Sequence, residues 1–114
     1  MKTMVRVMKA LSDPSRIKIV KLLEQKELCV CELTSVLGLA QSTVSKHLKL
    51  LEDAGIVASN RDGGWVNYRL ADGSESPYAE SLLRDIKGWL NDDAAIREVF
   101  DKLPGTDRLR TSAA

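Results

Sequence analysis

The chain has 114 residues, of which 44% are hydrophobic and 29% charged, and its formal net charge is +1. This composition is typical of one globular domain, and no stretch approaches the roughly 20 apolar residues of a membrane span. The N-terminus lacks a signal-peptide pattern, so we expect a cytoplasmic protein that does not contact a membrane. Charge is uneven: residues 1–26 carry seven basic and two acidic side chains, and residues 70–114 carry six and nine. Positive charge is therefore concentrated near the N-terminus, although the total charge does not indicate nucleic-acid binding.

The N-terminal part of the chain is predicted to form two helices. Apolar residues recur at helical spacing from Met4 to Leu11, which indicates a short first helix. Residues 12–14, Ser-Asp-Pro, are a helix-start signal, because a side-chain oxygen can cap free amides and proline suits the first helical position. The following run to Lys26 is apolar on most sides, as in a buried central helix.

Two short helices joined by a tight turn come next. The first is predicted over Val30–Leu37, and Gly38 can take the left-handed conformation that ends a helix. The second is predicted over Gln41–Ala54, and Gly55 ends it. Its apolar residues form one stripe, and polar and basic side chains lie off that stripe. This pair of helices is typical of a helix-turn-helix.

A β-hairpin is predicted after the second of these helices. Residues 56–60 and 65–70 alternate as strands do around residues 61–64, Arg-Asp-Gly-Gly, which are predicted to form the turn. A hairpin in this position is the wing of a winged helix. The fold class we expect is therefore α+β and mainly helical: a winged helix-turn-helix with a two-stranded β-hairpin wing.

Two helices are predicted after the wing. Ser76-Pro77 opens the first, and residues 91–93, Asn-Asp-Asp, cap the second. Pro104-Gly105 ends the last helix. We therefore expect one DNA-binding and dimerisation domain over residues 1–104 and a disordered tail over residues 105–114.

Two apolar faces are candidates for a dimer interface. One lies on the first helix, and the other lies on the helix after the wing, where apolar residues recur at i, i+4, i+8 and i+11. These faces could close the core of one chain, but a chain this short has a limited core, and two-fold DNA sites favour a dimer. The predicted dimerisation residues are Met4, Val7, Met8, Leu11, Tyr78, Leu82, Ile86 and Trp89.

Polar residues of the second helix-turn-helix helix, together with the wing, are the candidates for DNA contact. Glutamine can pair with adenine, while serine, threonine and lysine bind base edges or phosphates; a wing arginine suits a narrow minor groove or a phosphate. The single histidine is better suited to phosphate contact or helix packing than to a metal. The alternative for each of these residues is that its side chain belongs to a solvated face and does not contact DNA. The predicted set is Gln41, Ser42, Thr43, Ser45, Lys46, His47, Lys49 and Arg61.

Cys29 and Cys31 are the only cysteines, and they lie at the start of the predicted helix-turn-helix. In a reducing compartment we expect free thiols, because residues two apart rarely meet disulfide geometry. Two thiolates can hold a soft, three-coordinate ion such as trivalent arsenic or antimony, with solvent, a small thiol or an oxygen as third donor. In a regular helix residues two apart point about 200° apart, so we expect ion binding to require the first turn to unwind or re-orient. The alternative is two small thiols that pack as apolar residues.

Other functions fit the residues less well. Zinc and cadmium prefer four ligands, yet residues 1–12 contain no cysteine and residues 77–90 no histidine; lead and bismuth remain open. A redox sensor needs thiolates activated by positive charge, but Glu27 and Glu32 flank the pair. A protein-interaction module with structural cysteines is a third alternative. No nucleophile–base pair, glycine-rich phosphate loop or HExxH motif is present, so we expect no enzyme activity.

Four segments of the chain form a pattern that occurs in a known family: ALSDPSR (10–16), ELCVCEL (27–33), QSTVSKHLKLLEDAGIV (41–57) and WVNYRL (65–70). Together they resemble the ArsR/SmtB winged-helix repressors over residues 4–90. The resemblance implies a homodimer that occupies double-stranded operator DNA and leaves it when an ion binds. The segment ELCVC resembles the arsenic-type sensor site of that family, which implies Cys29 and Cys31 as ligands and As(III) or Sb(III) as inducer. Some relatives have a third cysteine where this chain has Thr34.

Overall fold

The computed structural model describes residues 1–105. Within these residues, six α-helices, three strands and one short 3-10 turn follow one another. Their bounds are α1 (Lys2–Ala10), α2 (Pro14–Gln25), β1 (Leu28–Cys29), α3 (Val30–Leu37), α4 (Gln41–Asp53), β2 (Val57–Asp62), β3 (Trp65–Leu70), α5 (Pro77–Ile86), α6 (Ala94–Lys102) and the 3-10 turn (Leu103–Gly105). The predicted winged helix-turn-helix is confirmed. The expected disordered tail lies, apart from Gly105, outside the described residues.

Helix starts follow the capping signals of the sequence. The Asp13 carboxylate accepts hydrogen bonds from the backbone N–H groups of Ser15 (2.8 Å) and Arg16 (3.1 Å) at the start of α2. Asp93 caps α6 in the same way, and Ser76 Oγ accepts from the N–H of a residue three positions on in α5. Each cap satisfies amides that the helix itself leaves without a partner.

The wing hairpin is longer than predicted. Strands β2 and β3 pair antiparallel out to Asp62 and Trp65, so only two glycines remain in the turn. Gly63 has φ +64°, a left-handed conformation that favours glycine. Arg61 therefore lies inside β2, paired with Val66, and its predicted place in the turn is wrong.

A third strand joins the wing to the start of the helix-turn-helix. Strand β1 pairs antiparallel with β3, with Leu28 opposite Tyr68 and Cys29 opposite Asn67, and the sheet order is β1-β3-β2. The wing was predicted as two strands because a two-residue strand has no alternation to detect. The residue before α3 is thereby fixed to the middle strand of the wing.

Helix α5 ends earlier than its apolar spacing predicts. It stops at Ile86, whose carbonyl accepts a hydrogen bond from Lys21 Nζ at 2.8 Å. Leu90, just beyond, has φ +63°. Trp89 therefore does not continue the α5 stripe, and the prediction of one helix through Trp89 is wrong. The lysine, which comes from the centre of α2, was not identified from the sequence.

The core is built around α2, α3 and α4. Aliphatic side chains from these helices and from the strands pack into one cluster, and burying one such side chain contributes about 1.5–3 kcal/mol. Its largest fully buried members include Ile19, Leu22, Leu28, Leu33, Leu48, Leu51 and Ile56. Among the described helices, none combines the length and apolar character needed to cross a membrane.

We predict a large loss of stability when the charge of Lys21 is removed. Its side chain is fully buried and pairs with Glu24 at 2.8 Å. In Lys21→Met, Glu24 loses its partner, so the free energy of unfolding should fall by about 3 kcal/mol, measured by urea denaturation at fixed protein concentration. The double variant Lys21→Met/Glu24→Gln should lose less.

A matched surface pair provides the control for this prediction. Lys102 and Glu98 form an exposed ion pair at 3.2 Å, and Lys102→Ala should cost no more than about 0.5 kcal/mol. A urea midpoint for Lys21→Met equal to that of the unchanged protein would contradict a structural role for the buried pair.

Candidate thiol and DNA-binding site

The two cysteines occupy different backbone environments. Cys29 is the last residue of β1 and the N-cap of α3, with extended angles of φ −83° and ψ 167°. Cys31 lies in the first turn of α3, and the two Cα atoms are 5.4 Å apart. The backbone changes from extended at Cys29 to helical at Cys31, so the two side chains can approach each other.

The structure joins the two sulfur atoms in a disulfide. The expectation that residues two apart would not pair is therefore wrong for this structure. The two Cα atoms lie within the usual disulfide range of 4.4–6.8 Å, and the extended backbone of Cys29 turns its side chain out of the direction that a helical residue would give it. The premise that both cysteines lie in a regular helix does not hold, because Cys29 is the N-cap of α3. A change in the first turn on ion binding stays a prediction.

Cys29 and Glu32 form a reciprocal capping box. Cys29 Sγ accepts a hydrogen bond from the Glu32 backbone N–H at 3.4 Å, and Glu32 Oε1 accepts one from the Cys29 N–H at 3.0 Å. Cys29 is 2% exposed and Glu32 is 8% exposed. Such a box satisfies two amides at the start of a helix, usually with serine or threonine at the N-cap. Here a candidate ligand sulfur has that role.

Helix α4 presents a polar outer face opposite its buried stripe. Val44, Leu48 and Leu51 are buried in the core. Most of the predicted DNA-contacting side chains of the helix are exposed and His47 is half-buried; the exposed ones are Gln41, Ser42, Thr43, Ser45, Lys46 and Lys49. The helix therefore offers a continuous surface of hydrogen-bonding and basic groups, and Arg61 is exposed on the neighbouring wing.

Arg16 connects the recognition-type helix α4 to the end of α1. Its Nη1 donates to His47 Nδ1 at 3.1 Å, and its Nε donates to the Ala10 carbonyl at 2.8 Å. Since arginine can only donate, His47 Nδ1 is the acceptor. Burial alone raises the pKa of Asp13, but the hydrogen bond from the Arg16 N–H and the Arg16 charge hold that pKa below its ordinary value. His47 thus has a packing contact, one of the two roles considered from the sequence.

A polar cleft of about 560 Å³ separates the thiol segment from the wing. It is lined by residues of both, and three of them are acidic and one is basic. The lining residues are Glu27, Glu32, Asn60, Arg61, Asp62 and Asn67. The cleft therefore brings the capping glutamate and the wing arginine to one place. In residues 1–105 no group of three or more histidine, cysteine or acidic side chains is arranged to hold a metal ion.

The predicted dimerisation residues divide into three groups by exposure. Val7 and Ile86 are buried in the core of the single chain, so they offer no exposed surface. Leu11 and Leu82 are half-buried against that core. The other four are exposed large side chains, namely Met4, Met8, Tyr78 and Trp89. An apolar surface on α1 and α5 therefore remains, but it is narrower than the sequence stripes predict.

Three residues of this region were not identified from the sequence: Arg16, Glu32 and Asn67. The Glu32 cap has a detectable signal, since Cys29-x-x-Glu32 has the spacing of a capping box. The other two depend on contacts between distant segments, for which the local sequence holds no signal.

The matches to known proteins agree with this architecture. The family model "Bacterial regulatory protein, arsR family" matches residues 13–59. The arsenic resistance transcriptional regulator ArsR1 of Pseudomonas putida is 40% identical over 94 residues, which is 77% of this chain and 72% of that protein.

Two solved structures extend the comparison. The homodimeric winged helix-turn-helix domain Mb0332 of Mycobacterium bovis has a TM-score of 0.66 and 28% identity, covering 82% of each chain. Reduced HlyU from Vibrio cholerae has a TM-score of 0.63 and 30% identity, covering 76% of this chain and 87% of that one. The chain belongs to the arsR family of bacterial regulatory proteins, and it is a winged helix-turn-helix transcriptional repressor and not an enzyme.

Proposed function

We propose that this repressor is released from operator DNA when trivalent arsenic or antimony binds Cys29 and Cys31. The observation that carries the proposal is the meeting of both sulfurs at the first turn of α3, the first helix of the helix-turn-helix. Arsenic resistance is also the function in the name of a relative that is 40% identical. The protein would act in the cytoplasm, where thiols are kept reduced.

Ion capture requires the reduced form of the pair. Two electrons and two protons from a cellular thiol reductant convert the Cys29–Cys31 disulfide into two thiols. Each thiol then loses its proton as its sulfur binds the soft ion. A third donor completes the pyramidal site: solvent, a small thiol or an oxygen. Thr34, one turn beyond Cys31, has a buried hydroxyl oxygen without a hydrogen-bond partner.

DNA binding is proposed to use α4 and the wing of two copies. The exposed polar face of α4 supplies Gln41, Ser42, Thr43, Ser45, Lys46 and Lys49, with His47 at its edge. Arg61 would contact a phosphate or the minor groove. The exposed apolar side chains of α1 and α5 suit a two-fold interface. The Mycobacterium bovis domain of similar fold is homodimeric.

Thiol oxidation is a second candidate for the signal. The disulfide in this structure favours it, and a related fold has been solved in a reduced form. The step balances with a peroxide: two thiols lose two electrons and two protons, and hydrogen peroxide becomes two water molecules. The carboxylate of Glu32 beside Cys29 acts against it, because reactive thiolates are found in electropositive surroundings.

Substitution of either cysteine tests the proposal. Cys29→Ser and Cys31→Ser should still bind the operator but should no longer be released by arsenite, because one thiolate ligand is lost. Serine at position 29 retains a good N-cap oxygen. The measurement is operator binding by fluorescence anisotropy during titration with arsenite, antimonite, lead, cadmium, zinc and peroxide. If arsenite released either variant at the concentration that releases the unchanged protein, the cysteine pair would not be the site. If peroxide but none of the ions released the unchanged protein, oxidation would be the favoured signal.

A third thiolate should strengthen the site. In Thr34→Cys the new sulfur lies one turn beyond Cys31 and can replace a weaker donor, so arsenite should bind more tightly. Isothermal titration of the reduced protein gives the affinity. Ser35→Cys, at an exposed neighbouring position, is the matched control and should have no effect. Equal or weaker affinity in Thr34→Cys would mean that another group already occupies the third position.

Operator reading should separate from ion sensing. Lys46→Ala should weaken operator binding and, if Lys46 contacts a phosphate, reduce the salt dependence by about one unit for each contact removed. Arg61→Ala should act in the same direction with a smaller effect. Arsenite affinity without DNA should not change in Lys46→Ala. Lys102→Ala, which removes an exposed lysine of α6, is the charge-matched control. Unchanged operator affinity in Lys46→Ala would mean that the DNA-contacting surface lies elsewhere on α4.

A further inference from the structure

Glu32 stands between the thiol pair and the wing. Its two hydrogen bonds to Cys29 use its backbone N–H and its Oε1 atom. A buried carboxylate requires polar partners, and a neutral amide is a weaker partner for it than a guanidinium group. The Glu32 carboxylate is therefore bound to the Cys29 amide, although a guanidinium group would be a stronger partner for it.

The stronger partner lies across the adjacent cleft. Glu32 and Arg61 line the same 560 Å³ space. The sheet brings them there: Cys29 is opposite Asn67, and Asn67 is opposite Asn60, so one row of residues runs across all three strands. Arg61 directly follows the last residue of that row. The thiol segment and the wing arginine thus lie on the two outer strands of one sheet, close to the two ends of the same row.

We propose that Glu32 is a positioning residue that exchanges Cys29 for Arg61 when the thiols bind their ligand. In the DNA-binding state the capping box keeps the carboxylate on the Cys29 amide. In the ligand-bound state the carboxylate pairs with Arg61 inside the cleft and withdraws that arginine from the operator. The inference deepens the proposed function and rests on it.

The exchange follows from the double use of the Cys29 sulfur. In this structure Sγ accepts the Glu32 N–H. An ion held by two sulfurs places them roughly 3.5 Å apart, given metal–sulfur distances of about 2.3 Å, whereas here they are bonded to each other; in the proposed exchange this separation draws Cys29 Sγ from its capping position. The reciprocal bond from Cys29 N–H to the carboxylate then loses its support. Ligand binding thereby favours the Arg61-paired state, which is the differential affinity that a population shift requires.

The first test needs no ion, because the cap can be removed by mutation. Alanine at position 29 cannot accept the Glu32 N–H, whereas serine can. With both proteins reduced, Cys29→Ala should bind the operator about fivefold more weakly than Cys29→Ser, the lower end of typical couplings between sites. Circular dichroism checks that the helix content of the two variants is equal.

Second-site substitutions distinguish the exchange from simple loss of structure. In the Cys29→Ala background, Glu32→Gln should restore operator affinity, because an amide cannot form an ion pair with Arg61. Glu27→Gln, which also removes a carboxylate from the cleft, is the matched control and should not restore it. In an Arg61→Gln background, the difference between alanine and serine at position 29 should disappear.

The ligand supplies the second test. With arsenite as the probe, the loss of operator affinity should be about fivefold smaller in Glu32→Gln than in Glu27→Gln. Equal release of these two variants would overturn the exchange, as would equal operator affinity of the alanine and serine variants or failure of Glu32→Gln to rescue alanine. If arsenite does not release the unchanged protein, the proposed inducer is wrong, while the comparisons made without an ion still decide the role of Glu32.

Discussion

The reciprocal hydrogen bonds between Cys29 and Glu32 are the contact on which the candidate site depends. Cys29 is both the last residue of β1 and the N-cap of α3. Its own backbone is extended, and the helix begins at the next residue. Because β1 is also paired with β3, the same contact sets the position of the helix-turn-helix relative to the wing. We therefore expect a chemical change at the Cys29 sulfur to act on both the helix-turn-helix and the wing.

The second constraint is the buried lysine of α2. Lys21 reaches the carbonyl end of α5, 65 residues away in the chain, and pairs with Glu24 from its own helix. Burying an ion pair is weakly favourable at best, but leaving one member unpaired is costly. The pair therefore fixes where α5 ends and which of its side chains enter the core. Trp89 lies beyond this helix end.

The parts of the fold that were predicted correctly carry local signals. Asp13, Ser76 and Asp93 each stand directly before a helix and accept its free amides, and such caps can be recognised in the sequence. Gly38 ends α3 in the left-handed conformation expected of it. The polar face of α4 also follows from its helical period alone. For these elements the neighbouring residues determine the conformation.

The parts that were predicted wrongly depend on contacts between distant residues. Strand β1 exists because β3 pairs with it, and a two-residue strand has no pattern of its own. Helix α5 stops where Lys21 takes the Ile86 carbonyl, although its apolar spacing continues. The geometry of the thiols depends on β1, because pairing with Asn67 keeps Cys29 extended. A helix drawn through both cysteines separates sulfurs that the sheet brings together.

The carboxylate beside Cys29 also bears on which chemistry the pair favours. Oxidation by peroxide begins with a thiolate, and a neighbouring negative charge opposes its formation in a site of low exposure. A soft cation brings its own positive charge as the protons leave, so the same carboxylate is much less of an obstacle to ion capture. Glu32 thus favours the proposed metalloid ligand over an oxidant as the signal at this pair of sulfurs.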